Sequence, residues 1–276
     1  MFGVLLAAAS SAFGELSDSL GKKKINDGAE SYYTFGFLHM LFGAALMAAI
    51  GFFRNSFVFS MESLPTFIAR AVLEILQLQI TLMAVARADR SDFGLIRTLT
   101  IPFLLLVDIY LGYVITAKQF FGITFVFIAI ALLLSVEHLR TKGLWLLIGS
   151  SLNAVATISL YKYNITHFNS VEAEQTLISL IAMFYLFLSA MIFYREDPFR
   201  FLRKPVFLAQ TVTSGLSTII GSYAYVFAPA TIITTASRSC SLFFSLLSGK
   251  LYFKEGDIIA KVFLMALIVV GLILLV

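Results

Sequence analysis

The sequence has one cysteine, three histidines and very little charge. Cys240 alone can close no internal disulfide, and it cannot supply a metal site built on clustered cysteines. His39, His138 and His167 are scattered along the chain, so a metal centre is poorly supplied and neither a metal nor another cofactor is expected. H-E-x-x-H, G-x-S-x-G and a Walker-type glycine loop are all missing. Hydrolytic enzymes that depend on those motifs, and ATP-driven machines, have no foothold here. Charged residues make up 13% of the 276, about half the quarter or so found in soluble domains. That leaves too little polar surface to cover a water-soluble protein of this size.

What is present is apolar. Hydrophobic residues reach 59%, with 28 phenylalanines among them. A bilayer core is crossed by about 20 mostly apolar helical residues. On that ruler the chain divides into ten spans, at 2–20, 32–53, 65–86, 93–114, 119–136, 143–161, 173–194, 206–227, 229–250 and 257–276. Backbone groups facing lipid must be bonded internally, so spans are helices or closed barrels. Apolar runs without strict alternation argue for helices. The connections are short and charged, as in "GKKKINDGAES", "RADRSD" and "YREDPFRFLRKP". Span 1 has small residues near a plausible cleavage point, but it lacks the positively charged start of a secretory signal and is expected to stay.

The chain also repeats itself. "ITAKQFFGITFVFIAIALLL" (115–134) closes the first half and "IIAKVFLMALIVVGLILL" (258–275) closes the second. Similar halves with five spans each must lie in opposite orientations, the inverted-repeat plan of secondary transporters. The expected fold is therefore all-α and integral to the membrane: ten transmembrane helices in two inverted five-helix repeats, residues 1–138 and 139–276.

This layout resembles the EamA-like members of the drug/metabolite transporter superfamily over nearly the whole chain. The likeness is strongest in "TTASRSCSLFFSLLSGKLYFKEGDIIAKVFLMALIVVGLILL", with its hydroxyl-rich span, "G-x-x-x-F-x-E" exit and closing span with a late glycine. "IPFLLLVDIYLGYVITAKQFFG" is similar to the family's proline-containing fourth span and following turn. The acid usual in that turn is present as Glu255 in the second half and missing near Gly112 in the first. The resemblance implies export or exchange of a small metabolite, and cytoplasmic termini.

Ionisable residues in a span are costly and normally face protein or water. Arg70, Glu74, Gln77 and Thr81 form one stripe of span 3 by helical spacing, and Arg70 and Glu74 are placed to pair at i,i+4. Arg97 and Asp108 share a face of span 4, with Pro102 between them inviting a kink. In span 9, Thr234, Arg238, Ser241, Ser245 and Ser248 make a hydroxyl-and-arginine face, with Arg238 too deep to snorkel easily to water. Arg97 lies near the repeat equivalent of Arg238. Two such arginines facing one cavity suit a carboxylate or phosphate, given the planar donor fork of guanidinium. Softer faces carry Asn153 in span 6, Glu172 in span 7, Gln210 in span 8 and His39 in span 2, the last more simply read as a hydrogen-bonded core residue.

The function expected is secondary transport, by alternating access, of a small anionic or zwitterionic metabolite. The alternatives are a channel, a scaffold or a membrane-embedded enzyme. Arg238, Arg97, Thr234, Ser241, Gln77, Gln210 and Asn153 are the expected substrate contacts. Glu74, Asp108 and Glu172 are the expected carriers of a coupling proton. The partners expected are a small-molecule substrate and the bilayer of a cell membrane, with no nucleic acid, in a monomer or homodimer. Lys22, Lys23, Lys24, Arg87, Arg90, Arg140, Lys142, Arg195, Arg200, Arg203, Lys204 and Lys254 fall on one side, and only Arg54, Lys118 and Lys162 on the other. The positive-inside rule then puts the first group in the cytoplasm and both termini outside, against the topology that the resemblance implies.

Overall fold

A computed structural model describes residues 2–110, 116–135, 143–228, 230–256 and 258–275. All the secondary structure described is helical. In chain order the helices are α1 (Phe2–Asn26), α2 (Tyr32–Phe53), α3 (Leu64–Arg87), α4 (Arg90–Arg97), α5 (Thr100–Tyr110), α6 (Ala117–Ser135), α7 (Leu144–His167), α8 (Val171–Ser189), the short α9 (Pro198–Phe201), α10 (Pro205–Phe227), α11 (Ala230–Leu251) and α12 (Ile258–Leu275). The boundary expected at 138/139 and the turn at Gly112 lie outside the described residues.

Among the described residues, four helical segments are long and apolar enough to cross a membrane: Tyr32–Phe53, Met61–Arg87, Leu144–His167 and Val171–Tyr194. This makes the chain a membrane protein. α6 and α12 contribute shorter apolar stretches, Phe120–Ala129 and Ile259–Gly271. α1, α10 and α11 are 25, 23 and 22 residues long, but their sequences are interrupted by serines and threonines and, in α1, by Glu15, Asp18 and three lysines. By length and hydropathy together, the structure therefore yields four spans where the sequence led us to expect ten.

Many large apolar residues face outward. Phe52, Phe184, Ile192 and Phe263 are all well exposed, whereas Ser17, Thr34, Ser150, Glu174 and Gln210 are fully buried. Water would penalise that arrangement and lipid rewards it. Where helices cross closely they do so over small residues. A Cβ added to Gly215 of α10 would lie 2.7 Å from the backbone nitrogen of Gly43 on α2, so this crossing requires glycine.

Span 4 is broken. α4 stops at Arg97, and the chain turns at Thr98 and Leu99 before α5 begins. Pro102 is the reason: it has no N–H to give to Thr98, and its ring crowds that carbonyl. Thr98 instead turns its hydroxyl back onto the Leu95 carbonyl at 2.6 Å. The break leaves Arg97 at the end of a helix in the interior.

Specific bonds recur at a shift of about 140 residues. Ser10 bonds Ser217, and Gln77 bonds Ser150, both at 2.8 Å. Ser11 donates to Ala7 and to Ser237 of α11, while Ser151 donates to Leu147 and to Ile96 of α4. Lys22 reaches the Ala88 carbonyl that ends α3, and Lys162 reaches the Ala228 carbonyl that ends α10. Helix packing follows suit: α1 lies on α10 and α7 on α3, while α2 pairs with α8, α4 with α11 and α6 with α12.

Candidate functional site

The interior holds two adjoining chambers, of about 340 and 310 Å³. Arg97, Arg238, Glu74, Gln77 and Ser217 border both. The first chamber runs on to Glu15, Asp18 and Arg90, the second to Tyr161, Tyr225 and Thr234. Their walls come from α1, α2, α3, α4, α7, α8, α10 and α11.

Two of the four arginines at these walls are neutralised. Arg90 is almost fully buried and holds Glu15 at 2.7 Å and Asp18 at 3.1 Å. Ser19 and Ser248 add hydroxyl donors to Glu15. Arg70 holds Glu174 at 2.7 Å and Gln175 at 3.0 Å, and its guanidinium lies over the Tyr161 ring. Glu174 also accepts from Asn164 and Asn169. The expected i,i+4 pair is thus corrected. The fully buried Glu174 takes the Arg70 charge, because a carboxylate without water needs a cation more than one that faces a chamber.

Arg97 and Arg238 are different. Neither has an ion-pair or hydrogen-bond partner among the described residues, and the Nε of Arg238 is buried with nothing to receive it. Arg97 rests over the Phe93 ring at 4.9 Å, and the two guanidinium charges act on one another. Glu74 faces the same space, also without a hydrogen bond or close ion pair among the described residues; Arg70 acts on it electrostatically.

A second ionic cluster closes the lysine-rich end. Glu255 accepts from the backbone nitrogens of Arg90, at 2.7 Å, and Ser91, at 3.2 Å, so it caps α4 from beyond α11. Carboxylates are stabilised at a helix N-terminus by these free donors. Lys261, buried on α12, bonds Ser91 and pairs with Asp92 at 3.0 Å. Arg90, expected as a marker of that membrane face, is therefore an interior residue at the same end.

Of the residues singled out from sequence, the structure brings Arg97, Arg238, Thr234, Ser241, Gln77 and Glu74 to the chambers. His39 also borders the first, 3.9 Å from Asp18. Three lie elsewhere. Asn153 ties α7 to α3 by donating to Leu73 and Gln77. Gln210 is buried beside Glu30 near the α1–α2 turn. Glu172 accepts from Ser56 and Tyr223 at the opposite end. Asp108 lies on α5, and its side chain is outside the described residues. Sequence reasoning missed Glu15, Asp18 and Arg90 as a group. The signal was there in part, since Glu15 and Asp18 share a helical face with Ser11, but nothing local tied Arg90 to them.

No protein-family model matches the chain, and no curated protein matches it. Fold and cavity together define the class: an α-helical membrane protein with a charged chamber inside.

Proposed function

We propose that the protein is a secondary transporter that moves a small anionic or zwitterionic metabolite by alternating access between two inverted five-helix halves. Under this reading α1, α2, α3, α4–α5 and α6 form one half, and α7, α8, α10, α11 and α12 the other. The observation that carries it is the recurrence of hydrogen bonds: exchanging the halves turns the Ser11–Ser237 contact into Ser151–Ile96, and Lys22–Ala88 into Lys162–Ala228. Arg97 and Arg238 directly follow the two bonded carbonyl residues Ile96 and Ser237, so the exchange interchanges them as well. A site between inverted halves, near the bilayer midplane, is where secondary transporters hold their substrate.

The resemblance to EamA-like transporters agrees with the five-plus-five layout but implies the opposite orientation of the termini. Ten spans follow if α1, α10 and α11 turn their polar faces to the chamber and their apolar faces to lipid, and if α4–α5, α6 and α12 also cross. The positive-inside rule then puts the lysine-rich end in the cytoplasm of a cell membrane, so that the Arg90–Glu15 cluster bars the cytoplasmic exit. Reconstitution into proteoliposomes with a panel of labelled metabolites tests the reading. Movement of an unaltered solute supports it. A solute chemically changed, or none moved under any gradient, sinks it.

A further inference from the structure

We infer that the ligand of the chamber is a small organic dianion, a dicarboxylate or a phosphate monoester, gripped between Arg97 and Arg238. The inference rests on the transporter reading for calling the chamber a substrate site, and its test separates binding from movement.

Of the four arginines at the walls, Arg70 and Arg90 are buried, and Arg97 and Arg238 are partly exposed. A buried charge without a counter-charge is strongly unfavourable, and proteins pair it or place it where a ligand or ion will. Here Arg70 and Arg90 are both matched by carboxylates at 2.7 Å. Arg97 and Arg238, in the same walls, make no ion pair within 4 Å among the described residues; the Arg238 charge acts against that of Arg97, and the more distant Asp18 and Glu15 offset it only in part. A monoanion would neutralise one guanidinium and leave the other. A dianion satisfies both and turns their repulsion into a shared attraction.

Geometry favours the same class. Guanidinium presents a planar fork that fits carboxylate and phosphate oxygens two at a time. The wall near the arginines also carries Ser241 and Gln77, polar groups that can meet further anionic oxygens, whereas the Ser10 and Ser217 hydroxyls donate to each other's carbonyls. A chamber of about 340 Å³ is at the small end for ligand sites. It suits a compact solute with little apolar bulk. Cavity hydroxyls satisfy a polar ligand, whereas a greasy one would leave them unpaired.

The test uses the full chain purified in detergent, with thermal unfolding followed against succinate and glycerol phosphate as dianions. Butyrate serves as monoanion, alanine as zwitterion and glycerol as neutral control. The expected result is a saturable rise in Tm with at least one dianion and none with the three controls. Arg97→Gln and Arg238→Gln should each weaken that binding by about tenfold or more. Should a glutamine variant fail to fold, Arg97→Lys and Arg238→Lys keep the charge but lose the fork, and are expected to bind more weakly than wild type. The inference is overturned if neither dianion binds saturably, if a control binds better, or if the variants bind the dianion as tightly as wild type. Proteoliposome flux then tells the two readings apart. Dianion binding without any flux removes the transporter and leaves this inference; flux of a neutral or cationic solute, with no dianion effect, does the reverse.

Discussion

Arg70 gives its guanidinium to Glu174, 2.7 Å away on α8, and leaves Glu74, one turn along its own helix, facing the chamber without a close partner. The first contact locks α3 to α8 beside the cavity. The second residue remains available for chemistry. Two acids near one arginine thus have separate uses, decided by which of them is sealed from water.

Breaking the lock should be costly. Glu174→Gln is expected to destabilise the protein by about 3–5 kcal/mol, because it leaves Arg70 buried and unmatched. Arg70→Met combined with Glu174→Leu should recover most of that loss. Unfolding in detergent, read as a double-mutant cycle, checks this; costs that simply add would show that the two residues do not depend on each other.

Glu74 is the chamber acid with no ion-pair partner, so Glu74→Gln should leave Tm unchanged or higher. If Glu74 carries the coupling proton, the variant should still exchange solute across proteoliposomes but no longer concentrate it under a pH gradient. Gradient-driven accumulation equal to wild type would remove Glu74 from that role.

The cluster at the lysine-rich end should act as a barrier. Arg90→Gln leaves Glu15 and Asp18 without their cation. With Cys240→Ser as background, a reporter cysteine at Ser241 in the chamber should react faster with an impermeant reagent from the lysine-rich face in the Arg90 variant. An unchanged rate from that face would mean the barrier lies elsewhere. The same background, with a cysteine at the exposed Asn26, reports orientation: protection in intact cells places the lysine-rich end in the cytoplasm, and ready labelling places it outside.

Glu30, in the turn between α1 and α2, should make stability depend on pH. Burial pushes its carboxyl from about 4.5 up to about 8, and the Glu196 carboxylate adds to the effect. Gln210 lies close by without closing a hydrogen bond. Through that window the folded chain keeps the proton that the unfolded chain releases, so stability falls as pH rises from about 4.5 to about 8. Glu30→Gln should flatten the profile and raise Tm at alkaline pH. A profile identical to wild type would show that Glu30 is already ionised in the fold.

The candidate site was legible where a signal runs along one helix. Spacing alone put Gln77 with Glu74, and Thr234 with Arg238 and Ser241, and the structure carries all five to the chambers. It was illegible where the deciding partner comes from another helix. Polar spacing looks the same whether a face meets a cavity or a neighbour. Asn153 and Gln210 met neighbours, and Arg70 found Glu174 across the bundle.

The sequence by itself determined the membrane character, the helical class and many of the helix ends, because hydropathy, charge and proline act over neighbouring residues, though α1 and α7 run six residues past their expected ends. The break after Arg97 belongs there too, since Pro102 imposes it locally. Which charges are paired was decided only by tertiary structure. Ion pairing depends on distances of a few ångströms between helices far apart in the chain, and on which group is shut away from water. That is why Arg70 and Arg90 are buried and neutralised, while Arg97 and Arg238, of the same residue type but partly exposed, are left with guanidinium groups facing the chamber.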